Sequence, residues 1–89
     1  MAPGRGVAAM NEGFVVSDKN RRAVFVELVA GETDIDRIVK KHRLIRRAAE
    51  RALEDLRGEG IVAKNGAALK LTAEGEKLAV DLKRKDLLE

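Results

Sequence analysis

Apolar positions recur at helical spacing over four stretches of this chain and at strand spacing over one. The first stretch predicts a helix from about Asp18 to Ala30, with Ser17 as N-cap and Gly31 as terminator. Val24, Phe25 and Leu28 form its main stripe, and Ala23, Val26, Val29 and Ala30 fill most of the rest. Glu27 is left as the one charge between Ala23 and Ala30. A helix so apolar all round must be covered on more than one side. Either the preceding Phe14, Val15 and Val16 lie on it, or a second subunit does.

The second predicted helix starts at Thr33 or Asp34 and runs through Ile35, Ile38 and Val39 to about His42. The third runs from about Ile45 to Gly58, with Ala49, Ala52, Leu53 and Leu56 inward. IVAKNGAALKLT follows, two short strand-like runs around Asn65-Gly66, a strong hairpin signal. A three-residue loop, Asn65 to Ala67, would put Ile61, Ala63, Leu69 and Leu71 on one face. A two-residue loop would pair Val62 with Leu69 and turn Ile61 outward. The first segregates apolar from polar better and is the expected register. Thr72 then caps a last helix from about Ala73 to Lys85 or beyond, with Leu78 and Leu82 facing the core. Val80, Leu87 and Leu88 fall elsewhere on it, as a fraying tail or an intermolecular contact.

The order is helix, helix, helix, hairpin, helix: a mainly α domain with a small β-hairpin, spanning about residues 14–85. Residues 1–13, punctuated by Pro3, Gly4, Gly6 and Gly13, read as a disordered arm. Met10 begins an alternative start, so residues 1–9 are expected to add little. Residues 86–89 read as a tail or helix extension.

Composition narrows the chemistry. The 89 residues contain no cysteine and no tyrosine, and one histidine, His42. Ser17, Thr33 and Thr72 are the only hydroxyl side chains. Nucleophiles and general bases are therefore almost absent, and no two carboxylates share an apolar context. Neither an enzyme nor a metal or cofactor site is expected. No stretch approaches a membrane span, and no signal-like segment opens the chain, so the default expectation is a cytoplasmic protein. The absence of glutamine and abundance of Lys, Arg and Glu lean toward a protein from a hot environment.

The charge is unevenly placed. Residues 37–51 carry seven Lys or Arg and one Glu, a net +6, whereas the whole chain carries +3. The remainder therefore sums to −3. A basic cluster on two helical patterns joined by a tight turn suits a phosphate-bearing partner. The bland alternative is a solvated face laced with Arg–Glu pairs, or a contact with protein.

The stretch DIDRIVKKHRLIRRAAERALEDLRGEGIVAKNGAALKLTAEGEKLA resembles winged helix-turn-helix DNA-binding domains, especially small archaeal regulators and the MarR-like group. The resemblance covers roughly residues 18–85. It rests on Ile38, Leu44, Leu53 and Leu56, then EGIV, then a hairpin running into LTAEG. It implies a duplex-DNA-binding transcription regulator acting as a homodimer, with the third helix in the major groove and the hairpin as wing. Arg46, Arg47 and Glu50 would then contact bases. Lys40, Lys41, Arg43, Arg51, Lys64 and Lys70 would contact phosphates. Val26, Val29, Val80, Leu87 and Leu88 are candidate dimer contacts. With only two aromatics, Phe14 and Phe25, stacking on single strands is not expected. Winged helices also serve as assembly modules, which is the alternative function.

Three positions depart from the family's pattern. His42 and Arg43 stand where an apolar residue and a glycine are common, and Ile45 stands where Ser or Thr often starts the recognition helix. The junction is therefore expected to differ from the usual one, and the missing cap removes about 1 kcal/mol of helix-start stabilisation. His42 is expected to pack at its helix end, where partial charge suits the dipole.

Overall fold

A computed structural model describes residues 12–86. Residues 12–16 are helical, so ordered chain begins before Phe14 and covers part of the expected arm. The rest of that arm, the alternative start, and Leu87 and Leu88 lie outside the described residues. Four helices and one hairpin follow: α1 (Lys19–Val29), α2 (Ile35–His42), α3 (Arg46–Gly58), β1 (Val62–Asn65), β2 (Ala68–Leu71) and α4 (Ala73–Arg84).

Local chemistry accounts for the helix starts. Asp18, not Ser17, caps α1: its backbone is extended, and its carboxylate accepts from the Asn20 and Arg21 amides at 2.7 and 3.3 Å. Asp34 caps α2 by accepting from the Asp36 amide at 2.9 Å. Thr72 caps α4, where Glu74 and Glu76 in the first turn and Lys83 and Arg84 in the last complement the helix dipole. Ile45 precedes α3 and supplies no cap hydrogen bond, as its side chain dictates.

Three helices end alike. After α1, α2 and α3, a residue in positive φ is followed by an amide that bonds a carbonyl five residues back. These bonds are Glu32 to Glu27 at 2.9 Å, Leu44 to Val39 at 3.0 Å and Ile61 to Leu56 at 3.1 Å. This is the Schellman ending, which favours glycine because a Cβ crowds the backbone there. Gly31 and Gly60 occupy two of the sites, and Arg43 occupies the third at φ 53°, ψ 47°. Arg43 thus adopts the glycine conformation itself. The absent glycine leaves the α2–α3 junction closed in the ordinary helix-ending way, contrary to the sequence expectation.

The hairpin register also differs from expectation. Val62 pairs with Leu71, Ala63 with Lys70, Lys64 with Leu69 and Asn65 with Ala68. The loop is Gly66-Ala67, two residues long and one position later than Asn65-Gly66. Gly66 has φ 65° while Ala67 does not have positive φ, the pattern of a type II′ turn. A turn centred on Asn65-Gly66 would favour positive φ at both positions. The observed register puts Val62, Leu69 and Leu71 on the inward face and leaves Ala63 and Lys70 on the other. Ile61 is nevertheless buried, because it lies before the strand and escapes its alternation.

The core gathers Val15, Val24, Phe25, Leu28, Ile38, Leu53, Leu56, Ile61, Val62, Leu69, Leu78 and Leu82. Val15 is fully buried, so the segment before α1 supplies one of the covers that the all-round apolar helix required. The Lys85 ammonium meets the Glu12 carboxylate at 2.8 Å, tying that segment to the end of α4. Arg21 lies 4.0 Å over the Phe14 ring. The base of the hairpin is joined to α4 through Thr72. Its hydroxyl lies 2.5 Å from the Gly60 carbonyl and 3.1 Å from the Ile61 carbonyl, and it accepts from the Gly75 amide at 3.0 Å. A Cβ on Gly75 would sit 2.2 Å from the Ile61 carbonyl oxygen, so this contact requires glycine. Among the described residues, no helix is long and apolar enough to cross a membrane.

Candidate functional site

Burying Ala49, Ala52, Leu53 and Leu56 fixes the rotation of α3. Its opposite face must then carry Arg46, Arg47, Glu50 and Arg51, all exposed. The α2–α3 turn places the end of α2 beside the start of α3. Lys40, Lys41 and Arg43 are also exposed there, and Arg37 is exposed in the first turn of α2. All seven cationic residues of the 37–51 segment therefore face solvent on one helix pair.

They are not equally free. The Arg46 guanidinium bonds Asp36 of α2 and, through Nε, Glu50 at 2.9 Å. Glu50 and then Asp36 push its pKa further above the ordinary arginine range. Lys41 meets Glu27 at 3.3 Å. The other five, Arg37, Lys40, Arg43, Arg47 and Arg51, make no ion pair among the described residues. Arg47 and Arg51 line a groove of about 330 Å³ between α3 and the start of α1, together with Asp18, Asn20, Ile45 and Asp55. Arg47 thus keeps company with Arg51 rather than with Arg46 and Glu50, which separates residues that the sequence grouped as one base-reading set.

Lys64 and Lys70 are both exposed, but the register puts them on opposite faces of the hairpin. One surface cannot engage both through the same face. Of the residues expected at a dimer contact, Val29 and Val80 share a groove of about 390 Å³ between α1, β2 and α4, with Leu28, Leu69, Leu71 and Ala79. Val26 is half-buried and lies apart from it.

A second cluster escaped the sequence reading. Glu27 is a buried carboxylate on α1, only 7 % exposed. His42 Nε2 lies 2.8 Å from one of its oxygens, and Lys41 Nζ lies 3.3 Å from the other. The His42 hydrogen bond, followed by Lys41, holds the Glu27 pKa below its ordinary value despite opposing desolvation. The signal was present: one acid in an eight-residue apolar run needs a partner. Nothing in spacing identified His42 as that partner, fifteen residues away. His42 therefore docks α2 onto α1 instead of serving only its own helix end.

Position 45 carries another unassigned feature. Ile45 is 75 % exposed, while Val80 at 55 % is the other large apolar side chain so exposed among the described residues. Ile45 stands between Arg43 and Arg46 at the open end of α3. No family model matches this sequence, and no curated protein matches it.

Proposed function

We propose that this protein is a winged helix-turn-helix regulator that binds duplex DNA, with α3 in the major groove and the hairpin as wing. The observation that carries the reading is the α2–α3 surface, where seven exposed cations flank a helix whose inner face is fully used by the core. A helix of this width fits the major groove, and its first turns approach base edges. The fold reading is supported by one backbone bond besides the element order. The Leu69 amide donates to the Thr33 carbonyl at 3.0 Å, so the α1–α2 linker touches the free edge of β2.

Arg46 retains the capacity to read guanine. Asp36 and Glu50 take two of its five N–H groups, and an Nη1 and an Nη2 hydrogen remain for O6 and N7. Arg47, Arg51, Lys40 and Arg43 suit phosphates, with Lys41 adding charge beside Glu27. The exposed Val80 and half-buried Val29 suit a second copy, which would present two α3 helices to successive half-sites. The carboxylate pairing of Arg46 is the observation that favours the rival reading, a solvated face on an assembly module.

Selection from a genomic fragment library at two salt concentrations distinguishes the readings. If each of the five cations without a carboxylate partner meets one phosphate, log K falls with log salt at a slope of about −4.5. Arg46→Ala relaxes preference at one base position, whereas Arg51→Ala weakens all duplexes alike. Affinity that does not change with salt removes the DNA reading.

A further inference from the structure

The start of α3 is built in a way that folding alone does not explain. Its N-cap position holds isoleucine, which makes no cap hydrogen bond. A serine or threonine there would satisfy an open amide and stabilise the helix. The isoleucine also gains little from burial, since three-quarters of it meets solvent. Both costs fall on one side chain, at the edge of the groove that holds Arg47 and Arg51.

Its neighbours define the partner. Arg43 and Arg47 are exposed on either side of it and make no ion pair among the described residues, so an anionic partner is favoured even though Asp18 and Asp55 line the same groove and Asp36 and Glu50 hold Arg46. An anionic partner with an apolar group to meet isoleucine is a narrow class. Duplex DNA belongs to it, because each thymine presents a C5-methyl in the major groove amid otherwise polar base edges. A β-branched side chain at the first turn of a groove-bound helix has the reach and shape to cover that methyl.

Resting on the DNA-binding reading above, we infer that Ile45 is a specificity residue that selects thymine by packing on its C5-methyl. The helix gives up a polar cap at this position and gains an apolar contact to a base. Arg46 next to it supplies the polar half of the readout.

The test removes the methyl while keeping every hydrogen-bonding group. Duplexes are selected by the wild-type protein from a random-sequence library, then resynthesised with deoxyuridine in place of thymidine. The wild-type protein is expected to bind the thymidine form about fourfold tighter for each methyl that Ile45 covers. Ile45→Ser is expected to bind both forms alike while melting at or above the wild-type temperature, because serine restores the cap. Equal preference for thymidine in wild type and variant overturns the inference while leaving DNA binding intact. An equal loss by the variant on both forms overturns it too, since Ile45 would then serve another contact. Wild-type self-association in sedimentation that Ile45→Ser abolishes assigns the residue to a second copy and also overturns it. Absence of any bound duplex, even at low salt, removes the DNA-binding reading and this inference together.

Discussion

Arg43 is where stability and charge compete, and substitution separates them. At φ 53°, ψ 47° its Cβ crowds the backbone, which costs about 1–2 kcal/mol relative to an unstrained residue. Glycine at this site removes the crowding but loses about 0.5–1 kcal/mol through its freer unfolded chain. Taking the middle of each range, the net gain for Arg43→Gly is about 0.75 kcal/mol. For a domain of this size that corresponds to a rise of about 3–6 °C in melting temperature. Arg43→Ala keeps the Cβ and removes only the guanidinium, so its stability is expected to match wild type. Urea denaturation of the three proteins reads the net of these two backbone effects as the gap between the glycine and alanine variants. If the protein binds duplex DNA as proposed, with Arg43 on one phosphate, both variants reduce the salt slope equally, by about 0.9. Equal stability of the glycine and alanine variants would refute the left-handed account of the α2–α3 turn. Unequal salt slopes would show that the turn's conformation, not the charge, sets binding.

Gly75→Ala forces a Cβ to within 2.2 Å of the Ile61 carbonyl, and urea denaturation should show a loss of about 3 kcal/mol. Gly58→Ala meets nothing within 4 Å and is the control, expected to stabilise by about 0.5–1 kcal/mol. Glu27 has a folded pKa below its ordinary 4.5, so its stabilisation is present above that value and is lost as pH falls through the lowered one. Glu27→Gln should cost about 1–3 kcal/mol at neutral pH, with the gap to wild type narrowing through that acid window. A gap that is the same at neutral and acid pH in denaturation curves would contradict the ion-pair account. Ile45→Ser should raise stability by about 1 kcal/mol by supplying the missing cap, measured by the same curves.

Local rules carried most of the secondary structure. Helical spacing placed α1, α2, α3 and α4 within one or two residues, because core burial and capping act over a single turn. The inward sets Ala49, Ala52, Leu53 and Leu56, and Leu78 and Leu82, emerged from the 3.6-residue period alone. Asn65-Gly66 announced a hairpin but not its register. Asparagine and glycine both tolerate positive φ, so local preference leaves the turn free to shift by one residue. Packing of Val62, Leu69 and Leu71 against the helices, with Ile61 held under Gly75, selects among the alternatives.

The charge asymmetry was likewise a property of the sequence, since it counts residues and needs no coordinates. How that charge is distributed was not. Whether an arginine is free or clasped depends on carboxylates brought from other elements, and Asp36 reaches Arg46 across ten residues. Glu27 finds His42 across fifteen. The conformation of Arg43 belongs to the same class, because the closure of α2 onto α3 overrides a residue preference of about 1 kcal/mol. The sequence by itself determined the helices, the inward faces and the sign of the basic surface, all set by neighbours within a turn. The tertiary structure alone decided the hairpin register, the ion pairs and the exposure of Ile45, because each depends on which distant segment arrives.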